Sequence, residues 1–312
     1  MAKDHRLAPS LENVHWGFFD AKLPPRLTVD SGDTVVVDTV SGWPEVAPDP
    51  ALYRPDHYEI ATKLKPVLGA HILTGPIAVR GAEPGDTLEV RIKAIKLTAD
   101  WGWSVIRPLR GSLPEDFPKF ERWTIPIDRQ KMTTKLAWGP TIALRPFFGI
   151  LATAPRPEYG RISSIEPREF GGNVDCKEYV AGTSVFLPVF VPGANFSAGD
   201  GHAVQGDGEV CLTALETCLE GTFELVLHKG MKLAMPRALT PTHYITLGID
   251  TDLDDAAKQA LRDMIAWLVQ MKGWSRSEAY VFCSLACDLH VTQLVDGTKG
   301  VHAMLAKSMF SR

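Results

Sequence analysis

Short apolar runs broken by turn residues fill the first third of the chain: RLTVD, TVVVDTV, IAVRG and TLEVRIKAIKL lie between Arg26 and Thr98. Val, Ile, Leu and Thr at period two, bounded by Gly, Pro and Asp, predict strands. From Arg161 to Arg237 the same pattern returns in SVFLPVFV, EVCLTAL and TFELVLH. After Thr240 the period changes. Ala257, Leu261, Ile265, Leu268 and Val269 share one helical face over Asp254 to Met271, with Gly273 just beyond. Ser275 and Glu278 form a capping-box signature for a second helix carrying Ala279, Phe282, Cys283 and Ala286, and the strand LHVTQLV follows.

This pattern predicts a β-rich α+β chain in three stretches: a β-rich region over 1–160, a second β region over 161–240 and a small C-terminal α/β unit over 241–312. Residues 99–160 read as irregular, with Trp101, Trp103, Trp123 and Trp138 interleaved with Arg107, Arg110, Arg122 and prolines. Such a segment suits a lid or subunit contact, and equally a long connection packed on the sheets.

Composition narrows the function classes. With 33 Lys and Arg against 37 Asp and Glu, scattered rather than clustered, there is no electrostatic footprint for nucleic acid or an anionic membrane. No run reaches the ~18 apolar residues of a spanning helix, and the N-terminus lacks the apolar core of a signal peptide, so the expectation is a cytoplasmic protein. Five cysteines, an odd number without a C-x-x-C pair, argue against disulfides or a zinc ribbon. The 26 glycines and 23 prolines, roughly one residue in six, exceed the usual share of about one in eight.

Two segments concentrate that glycine beside polar groups, GGNVDCKEY at 171–179 and FSAGDGHAVQGDGEV at 196–210. If these are strand ends, Asn173 and Asp175 face one side, as do Asp207 and Glu209. With His202 they would make an oxygen- and nitrogen-rich set suited to zinc, or to a harder ion where carboxylates dominate. Set against this, a single histidine in a Gly-rich loop is more often a turn residue, and Asp-Gly pairs are ordinary hairpin chemistry. His71 has the same two readings, ligand or acid/base against structural residue. Asp33 and Asp86, in the recurring SGDTV and PGDTL phrases, read as turn formers.

Covalent routes fare worse. There is no G-x-S-x-G elbow. Ser163-Ser164 has no Gly-rich surround and no nearby lysine. Cys176, Lys177 and Glu178 contain the residue types of a thiol amidase, but neighbours on a strand alternate faces and cannot meet on one carbonyl.

The phrases HWGFFDAKLPPRLTVDSGDTV, HILTGPIAVRGAEPGDTLEV, FGGNVD, LPVFVPGANFSAGDGHAVQGDGEV and SEAYVFCSLACDLHVTQLVD run nearly the whole chain, and in them it resembles the acetamidase/formamidase family. That resemblance implies hydrolysis of a linear C–N bond with release of ammonia from a small amide such as formamide or acetamide. It also implies β-sandwich or barrel-like sheets with a two-layer C-terminal α/β portion, a divalent metal site and a homo-oligomer. Asn173, Asp175, His202, Gln205, Asp207, Glu209 and His71 fall on its motif positions.

The expected arrangement has Asp175, His202 and Asp207 holding a divalent ion, zinc or alternatively calcium, that lowers the pKa of water. Glu209 is the expected general base, with Asn173, Gln205 or His71 steadying the oxyanion or amide nitrogen. The rivals are an enzyme for a larger amide, and a non-catalytic, metal-stabilised binding protein whose Trp-rich middle holds a ligand.

Overall fold

In the computed structural model, which describes residues 2–310, the alternating runs become strands of two nine-stranded sheets. The first sheet runs in the order Asp4–Leu7, Thr34–Asp38, Leu219–His228, Thr87–Leu97, Ser184–Pro188, Arg237–Leu239, His243–Asp250, Thr298–Ala306, Cys287–Asp296. Its strands come from all three stretches of the chain. Leu219, Gly221, Phe223 and Leu225 are buried while the residues between them are half-exposed, the alternation of a strand with one face on a core.

The second sheet centres on Phe196–Val204, which pairs antiparallel with Phe147–Ala152, Ile72–Val79 and Leu215–Glu216. The two sheets share one core: Phe223 of the first meets Phe148 and Phe196 of the second edge to face at 5.3 and 5.7 Å, a geometry favoured for aromatic pairs. Phe147–Ala152 is buried along its whole length, and Phe196–Val204 up to its last residue.

The two expected helices are present, Leu253–Lys272 and Arg276–Ala286. Asp252 caps the first through Asp254 N and Asp255 N, Gly273 ends it at φ 68°, and Ser275 with Glu278 forms the full capping box of the second. Both join a core with Val301, Ala303 and Leu305 of the adjoining strands. The molecule is β-rich α+β, and a third, shorter helix spans Pro55–Lys63.

Two parts of the pattern fold otherwise than expected. Residues 99–160 are irregular over most of their length but contain five strands: Trp101–Ile106 pairs with Glu121–Pro126, Thr133–Lys135 with Thr141–Ala143, and Phe147–Ala152 lies in the second sheet. Trp101, Trp103 and Trp123 are strand residues there, Trp138 lies in a turn, and the prolines sit mainly in the connections. Conversely, EVCLTAL is strand only at its end, because Glu209 and Leu212 take positive φ of 46° and 112° and break the extended run.

Asp33 and Asp86 are turn residues, as the sequence suggests. Asp33 accepts from Asp30 N and Lys3 N, and Asp86 from Glu83 N and Gly230 N.

Candidate active site

Asp200 and His202 stand two apart on Phe196–Val204 and reach the same side. Glu216 arrives on the neighbouring strand, where its backbone pairs directly with His202. Asp175 follows the strand Gly171–Asn173, Glu209 lies in the loop after Val204, and Asp296 ends Cys287–Asp296. All six side chains are buried, His202 completely. His202 Nε2 lies 3.1 Å from Glu216 Oε1, 3.2 Å from Asp200 Oδ2, and 3.9 Å from both Asp175 Oδ1 and Glu209 Oε1. Asp175, Glu209 and Asp296 form an adjoining carboxylate group.

The backbone around this cage is unusual. Asp175, Asp200 and Glu209 all have left-handed φ, at 53°, 56° and 46°, a conformation costing of order 1 kcal/mol or more each in a non-glycine residue. Gly149 leaves the space behind them: a Cβ there would lie 2.3 Å from Asp175 Oδ1, 2.6 Å from Asp200 Oδ2 and 2.9 Å from His202 Cε1.

Five buried carboxylates cannot all ionise around one imidazole. Burial and the adjacent Asp200 raise Asp175 to about 7. Burial and Asp200 carry Glu216 to about 8 against the pull of His202, and burial together with Asp175 lifts Glu209 and Asp296 well above the carboxylate range. Asp200 alone stays low, since His202 and His71 outweigh its burial. His202 is itself held far above its ordinary value, Glu216 and Asp200 overcoming burial.

Orphaned polar atoms gather at the same place. Both Asp175 oxygens, Asn173 Oδ1, Glu216 Oε2, Asp296 Oδ2 and His202 Nε2 are buried without a hydrogen-bond partner. Such groups are costly unless something satisfies them. Donor atoms 3.1–3.2 Å apart match ligands sharing one ion at about 2.0–2.2 Å. The cage has the charge, burial and spacing to fit a divalent cation.

His71, Asn173, Asp200, Glu209, Glu216 and Asp296 line one cavity of about 180 Å³, together with an apolar wall that includes Trp43, Ile72, Trp103, Val105 and Val295. Arg107 and Arg110 are also at its lining. Trp43 bridges Trp16 and Trp103 edge to face at centroid distances of 5.7 and 5.4 Å. His71 Nδ1 is 2.8 Å from Ser164 Oγ, and burial lowers its pKa, with Asp200 opposing, so the ring is neutral near pH 7.

The structure brings together Asp175, His202, Glu209, Asn173, His71 and Gln205 from the sequence reading, and separates Asp207. Gly208 bridges to Gln293, with Gly208 N donating to Thr292 O and Leu294 N to Gly208 O. At this bridge Gly208 and Glu209 both have positive φ, so 207 and 209 do not share a strand face. Glu209 enters the cage, and Asp207 pairs with Lys177 and His290 at 3.0 and 3.1 Å. Gln205 does not face the cavity as an oxyanion donor. It joins His202 Nδ1 to Asp175 O at 2.9 and 2.8 Å.

Glu216 and Asp296 complete the cage from outside the two Gly-rich polar segments, and Asp200, within the second of them, joins it without a ligand role expected from the sequence. Cys176 is wholly buried in the main core, and burial pushes its thiol far up. Lys177 turns to Asp207 and Glu178 to Arg145. The three do not converge.

Residues 5–162 and 158–311 match the model of the acetamidase/formamidase family. The crystal structure of an acetamidase from Bacillus halodurans is 31% identical, with a TM-score of 0.84 over 98% of each chain. An acetamidase of Mycolicibacterium smegmatis is 29% identical over 45% of this chain and 49% of its own length. A formamidase of Methylophilus methylotrophus is 28% identical over 62% of this chain and 63% of its own length. The chain thus spans from about half to less than two thirds of these two curated relatives.

Proposed function

The chain belongs to the acetamidase/formamidase family, and on that footing we propose that it is an amidase, converting a small linear amide and water to a carboxylate and ammonia. The observation that carries the reading is the buried carboxylate cage around His202 Nε2, opening on an apolar-walled cavity.

His202, Asp200 and Glu216 would hold a divalent cation, with Asp175 beside them. One imidazole favours zinc, and the surplus of carboxylates makes calcium the alternative. When bound, such an ion supplies a Lewis acid for the amide carbonyl and acidifies water.

The chain's own groups do the rest. With a cation in the cage offsetting the neighbouring carboxylates, Glu209 would be ionised, accept the proton of the attacking water at its carboxylate and return it to the nitrogen as the C–N bond breaks. Asn173 and the neutral His71, both at the cavity wall, orient the amide by hydrogen bonds. Gln205 fixes the His202 ring from behind. Trp43, Trp103, Val105 and Ile72 keep bulk water from the reacting centre.

The cavity volume favours a second reading within this class. About 180 Å³ exceeds what formamide fills, a water occupying about 30 Å³ of liquid, so an amide with a larger apolar substituent fits the wall better. A homo-oligomer belongs to the same proposal, with exposed Tyr280, Val281, Leu285 and Leu289 as an apolar surface for the contact. Sedimentation velocity of the purified chain tests that point. Among the described residues no helix is long and apolar enough to cross a membrane.

The deciding experiment follows ammonia release across amides of increasing size, with and without chelator, alongside bound-metal analysis. No ammonia from any amide overturns the amidase reading. Full turnover after metal removal overturns the cation.

A further inference from the structure

Outside the cage, a second group of metal-type ligands lies where three segments meet. His290 and His302 are direct partners in the antiparallel strands Cys287–Asp296 and Thr298–Ala306, and their rings stack 5.0 Å apart at 10°. Asp207 reaches them from the loop stitched to Cys287–Asp296 at Gly208. One nitrogen from each imidazole and one Asp207 oxygen lie within 4.8 Å of one another.

The independent pointer is His302. Its side chain is completely buried, Nδ1 is 2.8 Å from Thr292 Oγ1, and Nε2 has no partner. Burial lowers its pKa to about 4 despite the pull of Asp207, so the ring is neutral near pH 7. With the ring proton on Nδ1 facing the threonine hydroxyl, Nε2 keeps a free lone pair, the arrangement by which a hydrogen bond on one nitrogen readies the other for a metal. A buried imidazole nitrogen left without a partner is costly, and a ligand there would relieve that cost.

We propose that Asp207, His290 and His302 form a second divalent-metal site, separate from the carboxylate cage. Two imidazoles and a single carboxylate select a borderline ion such as zinc, nickel or cobalt over calcium or magnesium, which want oxygen sets. His290 and Asp207 are each about one-third exposed, so the ion enters from solvent. Lys177 Nζ, 3.0 Å from Asp207 Oδ2, is the competing cation that an incoming ion displaces. Nothing here depends on the amidase reading.

The test counts zinc per chain after the full-length, chelator-stripped protein is dialysed against low-micromolar free zinc. Wild type is expected to hold one ion more than His290→Ala, and one more than Asp207→Asn. The His290-dependent ion is expected to persist in His202→Asn, which damages only the cage. Lys177→Ala is expected to tighten that ion's binding by about tenfold or more, by removing a like charge. Equal zinc in wild type and His290→Ala overturns the site, as does disappearance of the His290-dependent ion in a folded His202→Asn chain. His290 is partly exposed and at a strand position, so circular dichroism of His290→Ala checks that any lost ion is not lost fold.

Discussion

Gln205 Oε1 lies 2.9 Å from His202 Nδ1, and the same amide donates from Nε2 to Asp175 O at 2.8 Å. The second bond fixes which end of the amide faces the ring. Oxygen must meet Nδ1, so Nδ1 carries a proton, and Nε2 is the atom aimed among the carboxylates. Gln205→Leu removes this orientation and is expected to cost about 10–100-fold in cation affinity or ammonia release with little change in circular dichroism. An unchanged zinc affinity and turnover would remove Gln205 from the site's design.

Glu209→Gln keeps the shape of the side chain and deletes its proton chemistry. We predict a loss of about 10²–10⁴-fold in kcat, with substrate binding preserved. The thermal midpoint should hold or rise, since one buried carboxylate is gone from a crowded set. Retained kcat would transfer the base role to another cage residue.

Gly149→Ala tests the spacing of the cage without touching its chemistry. The added methyl would stand 2.3 Å from Asp175 Oδ1 and 2.6 Å from Asp200 Oδ2, so both carboxylates must shift. Ammonia release and zinc retention should fall together, by more than tenfold, while the sheet survives. A fully active Gly149→Ala enzyme would mean the cage is looser than these distances require.

Asp33 gives an acid-sensitive stability term away from the site. Burial opposes its charge, but Asp30 N, Lys3 N and His5 hold its carboxyl down to about 2. Its unfolded value is about 3.9. The bonus is therefore complete above pH 4 and lost as pH falls from about 4 to 2. Asp33 sits just under the surface, and solvent screening reduces the bonus to about 1 kcal/mol. Chemical denaturation of Asp33→Ala against wild type should show that gap at pH 7 and a smaller one at pH 2.5. A gap that widens in acid would contradict the assignment.

Much of the scaffold was legible because it rests on local rules. The strands TVVVD and TLEVRIKAIKL, the helix read over Asp254 to Met271 with Gly273 beyond it and the Ser275–Glu278 box follow from period, caps and breakers within a few residues. The cage was only half legible. Asp200 was within reach, since it stands two residues before His202 on one strand. Glu216 and Asp296 depend on pairings that no local pattern announces, one across to Phe196–Val204 and one through the Gly208–Gln293 bridge. Asp207 misled for the opposite reason: its spacing from Glu209 suits a strand, and the left-handed turn between them undoes it. The tryptophans of 99–160 read as irregular because proline dominated the pattern, although the prolines mostly punctuate strands.

The left-handed backbone at Asp175, Asp200 and Glu209 sets activity against endurance. Each of these positions would rest more easily as glycine, and each carries a buried carboxylate instead. Selection for heat resistance alone, with no demand for turnover, should therefore discard these residues first: Asp200→Gly relieves backbone strain and charge crowding at once. A variant with a higher melting temperature and a dead site is the expected product, so a screen for robust forms of this protein must score catalysis in the same round.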